Sequence, residues 1–190
     1  MYYNYEMLYK LTSNYRFQFI AKAYAGKIPK GSRILDIGCG NGFIASKIAE
    51  LFRAKVTGCD LFNYLKVNIP FIKVGAMDKL PFKDKEFTVA TYNDMLHHAS
   101  KENQVRLIKE GLRVAKTVLI FEDIANTRNK ILDVVINKIH ERKIKLPLTH
   151  RTEKEWIELF EKEDIKYKVK KVKTPFFYPL SHIAFILESK

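Results

Sequence analysis

The chain has 190 residues, which suffices for one domain with a substantial hydrophobic core. Hydrophobic residues make up 47% and charged residues 29%, values that exclude a disordered or fibrous chain. The two cysteines, Cys39 and Cys59, are too few for a disulfide framework or a four-cysteine zinc site, and we expect both to be reduced. Because no apolar run approaches about 18 residues and the N-terminus lacks a signal-peptide pattern, we expect a cytoplasmic protein without a membrane span.

The charge is strongly positive, with 34 Lys and Arg against 21 Asp and Glu, for a net charge of +13. Such a charge makes an anionic partner, including nucleic acid, a hypothesis to test. The lysines of residues 165–173 alternate with apolar residues at the period of a strand with one solvated face. Since lysines on an edge strand discourage aggregation, we favour a solvated edge strand over a phosphate-binding stripe.

Strand-like and helix-like patterns alternate along the chain. Thr152 followed by Glu155 predicts a capping box at the start of a late helix. The alternation predicts an α/β domain with a mainly parallel sheet covered on both faces. Its predicted parts are an N-terminal helical cap (1–30), a ligand-binding half (31–124) and a closing region (125–190). Predicted helices cover 5–25, 43–52, 101–115, 128–143 and 152–164; predicted strands cover 33–37, 54–60, 71–75, 87–92, 117–123 and an antiparallel pair at 165–173 and 182–188.

A glycine-rich segment, LDIGCGNG, connects the first predicted strand to the next helix. In open α/β sheets, ligands bind beyond the carboxyl ends of the strands, where glycine turns let the backbone approach closely. A dinucleotide fingerprint would place its third glycine at the position of Phe43. The phenylalanine therefore argues against a dinucleotide ligand.

Several segments together carry a family resemblance: LDIGCGNG, the strand end VTGCDLF, KLPFKDKEFTVATYNDMLHH and EGLRVAKTVLIFEDI. They resemble the class I S-adenosylmethionine-dependent methyltransferases, in particular the small-molecule, type 11 subgroup that includes quinone-biosynthesis enzymes. The resemblance implies a Rossmann-like fold with a mostly parallel seven-stranded sheet and an antiparallel last strand. It also implies S-adenosylmethionine as cofactor and S-adenosylhomocysteine as product.

The resemblance assigns a cofactor role to residues of four segments. Asp60, at the end of the second strand, is expected to bind the ribose hydroxyls, because a carboxylate can accept both hydroxyl hydrogens of a diol. The family's usual adenine-binding Asp corresponds to Ala76, so the neighbouring Asp78 takes that role in the prediction. The full cofactor set is Asp36, Gly38, Cys39, Gly40, Gly42, Asp60, Leu61, Met77, Asp78 and Asn93.

His97 and His98 follow the fourth strand, close to the expected acceptor, and either could act as a general base. They could equally cap a helix or bond within the core. Glu122 and Asp123 end the fifth strand at the same edge, where a carboxylate could orient a nucleophile or hold a metal. Since no partner at metal-ligand spacing is visible, we predict a local structural role and no metal. The small size of Cys39 explains its place in the turn better than nucleophilic chemistry.

Residues 1–25, rich in tyrosine, and residues 125–151 are expected to cover the site as a lid. Aromatic faces suit a sulfonium cation, although the tyrosines could simply pack the first helix. These walls mix apolar and basic side chains, which favours an apolar or aromatic acceptor carrying an acidic group. TYND follows the fourth strand in place of an N/D-P-P-Y sequence, which argues against methylation of a base amine.

The sequence therefore predicts methyl transfer to a small molecule. An RNA methyltransferase, suggested by the charge, remains an alternative. An inactive cofactor-binding regulatory or partner subunit, suggested by Ala76, is a second alternative. The oligomeric state stays open.

Overall fold

A computed structural model describes residues 2–76, 79–125, 147–175, 178 and 180–188, with the backbone alone for 2–12. Four helices and seven strands follow one another along the described chain. The helices are α1 (Tyr2–Tyr24), α2 (Phe43–Phe52), α3 (Lys101–Val114) and α4 (Glu153–Lys162), with a 3-10 turn at Leu96–His98. The strands are β1 (Arg33–Ile37), β2 (Lys55–Asp60), β3 (Phe71–Lys73), β4 (Phe87–Asn93), β5 (Ala115–Asp123), β6 (Lys166–Lys171) and β7 (His182–Glu188).

The strands form one seven-stranded sheet in the order β3-β2-β1-β4-β5-β7-β6. The first five strands pair in parallel, whereas β7 runs antiparallel to both of its neighbours. This arrangement confirms the predicted fold class. From β1 the strand order runs outward to β3 on one side, and from β4 it runs outward on the other side, so the order of the sheet switches between β1 and β4. Ligands bind at such a switch point, beyond the carboxyl ends of the strands.

Alternating side chains of the strands enter two cores, one on each face of the sheet. Ile34 packs with α1 and α2, and the next residue, Leu35, packs with α3 and α4. Trp156 and Phe160 of α4 are almost fully buried against the second face. Because both faces of the sheet are covered, a ligand can reach the sheet only at the ends of its strands.

The predicted elements agree with the described ones to within a few residues. The capping box is present: Glu155 N donates to Thr152 Oγ1 (3.1 Å) and Thr152 N donates to Glu155 Oε2 (2.8 Å). The lysine-rich segment forms β6, an edge strand with alternating exposure, as expected. The helix predicted over 128–143 lies outside the described residues. Among the described helices, none has the length and apolar character that crossing a membrane requires.

Candidate active site

The glycine turn after β1 adopts a backbone that other residues rarely accept. Gly38, Gly40 and Gly42 have φ angles of 72°, 53° and 78°. A Cβ atom at Gly38 would lie 2.2 Å from Met95 Cγ, and one at Gly42 would lie 2.6 Å from Leu65 Cδ2. Glycine is therefore required at these two positions by close packing as well as by φ.

Gly40 differs from its two neighbours because a Cβ there would meet no atom within 4 Å. Its N–H donates to Asp60 Oδ2 (3.0 Å), and Leu61 N–H donates to Asp60 Oδ1 (2.7 Å). The Asp60 carboxylate is thus fixed beside open space at the glycine turn. Each of its oxygens has a further lone pair, so the carboxylate can still accept hydroxyl hydrogens.

Asp36 lies beneath this turn, with 2% of its surface exposed. Its Oδ1 accepts hydrogen bonds from Thr91 Oγ1 (2.6 Å) and Asn93 Nδ2 (2.8 Å), and Tyr24 OH donates to Asn93 Oδ1 (2.9 Å). Burial raises the pKa of Asp36 to about 6, although the two hydrogen bonds oppose the shift. The structure thus brings two residues of the predicted cofactor set, Asp36 and Asn93, into one network.

The cysteines Cys39 and Cys59 are buried as free thiols. Burial raises the pKa of both, and the nearby Asp36 and Asp60 add to the effect. A thiol with a raised pKa is a poor nucleophile, because the thiolate is the reactive form. This environment agrees with a packing role for Cys39, and a Cβ at Gly58 would lie 2.7 Å from its sulfur.

A cluster of buried charged residues lies where β4 and β5 end. The cluster includes the first residue of β7, because that strand runs antiparallel and begins at this edge. His182 Nε2 lies 2.8 Å from Asp123 Oδ1 and 3.5 Å from Asp94 Oδ1, and Arg16 Nη1 of α1 lies 3.3 Å from Asp94 Oδ2. Burial would lower the pKa of His182, but the two carboxylates outweigh it and raise this pKa. Burial raises the pKa of Asp94.

The predicted base candidates occupy the 3-10 turn beside this cluster. His97 is buried, and its Nδ1 lies 2.6 Å from Glu122 Oε2. Glu122 Oε1 accepts the N–H groups of Met95 (2.7 Å) and Leu96 (2.6 Å), so Glu122 has the structural role that the sequence predicted. The half-buried His98 ring lies 4.1 Å from that of His97.

A second segment brings His150 against His97, and their rings stack with centroids 4.6 Å apart. Thr149 N donates to His97 O (2.7 Å), and Ala125 N donates to Arg151 O (3.0 Å). The segment therefore pairs in parallel with the residues that follow β5, through a single bridge between Ile124 and Arg151. His97, Asp123 and His150 each place one potential ligand atom within 4.8 Å of the others.

The sequence reasoning missed four residues of this edge: Arg16, Asp94, His150 and His182. His182 could have been found, because a strand predicted to be antiparallel must begin at the carboxyl ends of its parallel neighbours. Asp123 does not share a short sequence motif with His97 or His150, so the sequence alone indicated no set of metal ligands. Met77 and Asp78, together with residues 126–146 of the proposed lid, lie outside the described residues, so their roles stay predictions.

The sequence matches the family described as "Methyltransferase domain" over residues 35–118, from β1 into β5. This span contains the glycine turn, Asp60 and Asp36, which form the site above. The match confirms the suggested resemblance to S-adenosylmethionine-dependent methyltransferases over this span of the chain.

Two curated relatives match parts of this chain. The tRNA U34 carboxymethyltransferase of Nautilia profundicola is 24% identical over 146 residues, covering 70% of this chain and 48% of the relative. The fatty-acid O-methyltransferase of Mycolicibacterium smegmatis is 35% identical over 85 residues, covering 40% of this chain and 31% of the relative. The chain thus spans half or less of the length of these relatives.

Solved structures share the fold at low identity. A chain of the Haloferax volcanii complex between the Trm112 methyltransferase activator and a methyltransferase has a TM-score of 0.71 and 13% identity, covering 95% of this chain and 92% of that one. The Burkholderia thailandensis 1,6-didemethyltoxoflavin-N1-methyltransferase, solved with bound 1,6-didemethyltoxoflavin and S-adenosylhomocysteine, has a TM-score of 0.66 and 16% identity, covering 91% of this chain and 77% of that one. These matches show the fold alone.

Proposed function

We propose that this chain transfers the methyl group of S-adenosylmethionine to a small molecule that carries an acidic group. The observation that carries the proposal is the open glycine turn whose Gly40 N–H is bonded to Asp60. This geometry presents a fixed carboxylate beside open space at the switch point of the sheet, where class I enzymes bind their cofactor.

In the proposed complex Asp60 accepts the ribose hydroxyls, and the turn from Gly38 to Gly42 lies against the amino-acid part of the cofactor. Asp36 acts through Asn93, to which it is hydrogen bonded. The acceptor lone pair attacks the methyl carbon while the bond from carbon to sulfur breaks, and S-adenosylhomocysteine leaves as a neutral thioether. Since the cofactor is already activated, orientation and exclusion of water supply most of the catalysis.

The charge distribution of the described residues favours a small acceptor over RNA. The lysines of β6 bond locally: Lys168 contacts Glu188 (3.1 Å), Lys170 donates to Lys22 O (2.5 Å) and Lys171 lies 3.6 Å from Glu153. At the acceptor edge, Arg16 and His182 are paired with Asp94 and Asp123 at 3.3 and 2.8 Å, so this edge does not form a basic surface for a polyanion. The names of the relatives include a fatty acid and a tRNA, so RNA remains the second candidate, supported by the net charge.

Calorimetric titration with S-adenosylhomocysteine tests the cofactor half of the proposal. Removal of the Asp60 carboxylate in Asp60→Ala should weaken binding by about 1 to 3 kcal/mol, because a charged hydrogen-bonding group is lost. Glu158→Ala, which alters an exposed carboxylate of α4, is the matched control and should bind as the wild type does. Equal affinity in a folded Asp60→Ala variant would remove Asp60 from the site.

Transfer of labelled methyl groups tests the acceptor half. Fatty acids, aromatic carboxylic acids and total tRNA are compared at physiological salt, since polyanions bind a basic protein non-specifically at low salt. Labelling of a carboxylic acid supports the proposal. Site-specific labelling of tRNA would favour the RNA candidate instead, and cofactor binding without transfer to any acceptor class would favour an inactive subunit.

A further inference from the structure

Three buried residues converge at the acceptor edge with the ligand types of a metal centre. His97, Asp123 and His150 are 2%, 5% and 5% exposed, and one ligand atom from each lies within 4.8 Å of the other two. They come from three separate segments: the 3-10 turn, the end of β5 and the segment beside Arg151. Two imidazoles and one carboxylate form a set that binds divalent transition metals and leaves coordination positions open.

A carboxylate behind His97 orients its ring for such a role. Glu122 Oε2 lies 2.6 Å from His97 Nδ1, and both side chains are almost fully buried. When Nδ1 carries the proton toward Glu122, Nε2 has the lone pair that a metal needs. Metal-binding histidines usually have this arrangement, with the second nitrogen donating to a carboxylate or carbonyl.

The segment carrying His150 is held by a rigid polar network. Gln104 Nε2 donates to Thr149 O (2.8 Å), and Arg151 Nε donates to Gln104 Oε1 (2.6 Å). Gln104 is fully buried, so the neighbours of His150 on both sides are fixed to α3. Preorganised ligands lower the entropy lost when an ion binds.

The charge of the surroundings also favours a cation. Three carboxylates, Asp94, Glu122 and Asp123, lie at the ends of β4 and β5 against two cationic groups, Arg16 and His182, which leaves an excess of negative charge. Asp94 contacts Arg16 and His182 at 3.3 and 3.5 Å, and among the described residues neither of its oxygens has a hydrogen bond. Buried carboxylate oxygens are rarely left so, and the exceptions often mark ligand sites.

We propose that His97, Asp123 and His150 bind one divalent transition metal ion of the Zn²⁺, Mn²⁺ or Fe²⁺ class, with Glu122 positioning His97. The open coordination positions face the acceptor edge, where the ion holds the anionic group of the acceptor for methyl transfer. The role of the ion in holding the acceptor rests on the proposed function, whereas binding of the ion does not.

The direct test titrates Co²⁺, a spectroscopic substitute for Zn²⁺, into chelator-treated protein and follows the visible d–d absorption. We expect one ion per chain. Asp123→Asn and His150→Ala should each weaken binding about 100-fold or more, and Glu122→Gln about 10-fold to 100-fold. His98→Ala removes a neighbouring histidine outside the ligand set and should bind Co²⁺ as the wild type does.

Thermal melting without metal shows whether each variant is folded, and Asp123→Asn retains the shape of the original side chain in case His150→Ala does not fold. Absence of the absorption in the wild type, or unchanged affinity in folded Asp123→Asn and His150→Ala, would overturn the site. These measurements use neither cofactor nor acceptor, so their result is independent of whether the methyltransferase proposal holds.

Turnover before and after chelation tests the role of the ion. Loss of methyl transfer on chelation, with recovery on adding Zn²⁺ or Mn²⁺ and unchanged S-adenosylhomocysteine affinity, supports a contact with the acceptor. Turnover that is unaffected by removal of a bound ion would overturn the acceptor role. A failure of the methyltransferase itself would instead show no transfer under either condition while Co²⁺ still binds.

Discussion

Two networks of charged residues lie at opposite ends of β4, and they differ in how completely their polar atoms are bonded. At the amino end, the Arg113 guanidinium donates five hydrogen bonds, one for each of its N–H groups. At the carboxyl end, both carboxylate oxygens of Asp94 are buried and lack a hydrogen bond among the described residues, although Oδ2 lies 3.3 Å from Arg16 Nη1 and Oδ1 lies 3.5 Å from His182 Nε2. The first network stabilises the fold, whereas the second has bonding capacity that a ligand can use.

The amino-end network explains two segments of the family resemblance. Arg113 bonds Glu110 in its own helix, Asp84, and the carbonyls of Leu80 and Phe82 in the LPF segment. Glu110 in turn accepts the Leu80 N–H (2.6 Å). The EGLRV residues at the end of α3 and the LPF residues of the KLPF segment are thus joined by one hydrogen-bond network, the Arg113 clamp.

Removing the clamp should have the largest effect on stability. Arg113→Ala leaves Glu110 one of its three hydrogen bonds and removes the donors to two carbonyls, so we expect a loss of about 3 kcal/mol in the free energy of unfolding. Urea unfolding followed by circular dichroism measures it. Lys109→Ala breaks a neighbouring exposed ion pair with Glu163 and should cost less than about 0.5 kcal/mol. Similar values for the two variants would show that the Arg113 network stabilises the fold no more than an exposed ion pair does.

The carboxyl end contains a buried acid that should make stability depend on pH. The pKa of Asp36 is raised from 3.8 to about 6, so this group contributes stability fully below pH 4 and loses it as the pH rises through 6. Asp36→Asn can still accept the Thr91 and Asn93 hydrogen bonds at its oxygen. The variant should therefore be more stable than the wild type by about 2 to 3 kcal/mol at pH 8, with little difference at pH 4. Denaturant unfolding at both pH values measures this. A constant difference across this range would contradict the assigned cause.

Gly40 in the glycine turn and Gly31 outside it both have positive φ, so substitutions at these two positions separate an effect on cofactor binding from an effect on stability. Gly40→Ala and Gly31→Ala both place a Cβ in open space at positive φ, so each should lose about 1 kcal/mol of stability. We expect a tenfold or greater loss of S-adenosylhomocysteine affinity in Gly40→Ala alone, because its Cβ would enter the space of the ligand. Calorimetry compares the two, and equal affinities would show that Gly40 does not approach the cofactor.

These contrasts also show which features the sequence could reveal. The capping box, the glycine turn and the antiparallel pair follow from local residue order, and they are present as predicted. The grouping of His97 with His150 depends on how a distant segment docks on Gln104, and no short-range pattern encodes that docking. The hydrogen bonds of the Arg113 network join residues about 30 positions apart, so the sequence indicated these residues only through the family resemblance.

The smallest effects are expected on the edge strand, where charge is dense but exposed. Lys168 pairs with Glu188, and their side chains are 64% and 54% exposed. Lys168→Ala should therefore change stability by less than about 0.5 kcal/mol, because water screens the pair. Turnover on a small acceptor should be unchanged, since β6 lies at the outer edge of the sheet, two strands beyond β5. Steady-state assays with Lys168→Ala and Lys166→Ala measure this. A severalfold loss of turnover on tRNA in either variant, with the small acceptor unaffected, would instead make the edge strand a phosphate-binding surface and favour the RNA candidate.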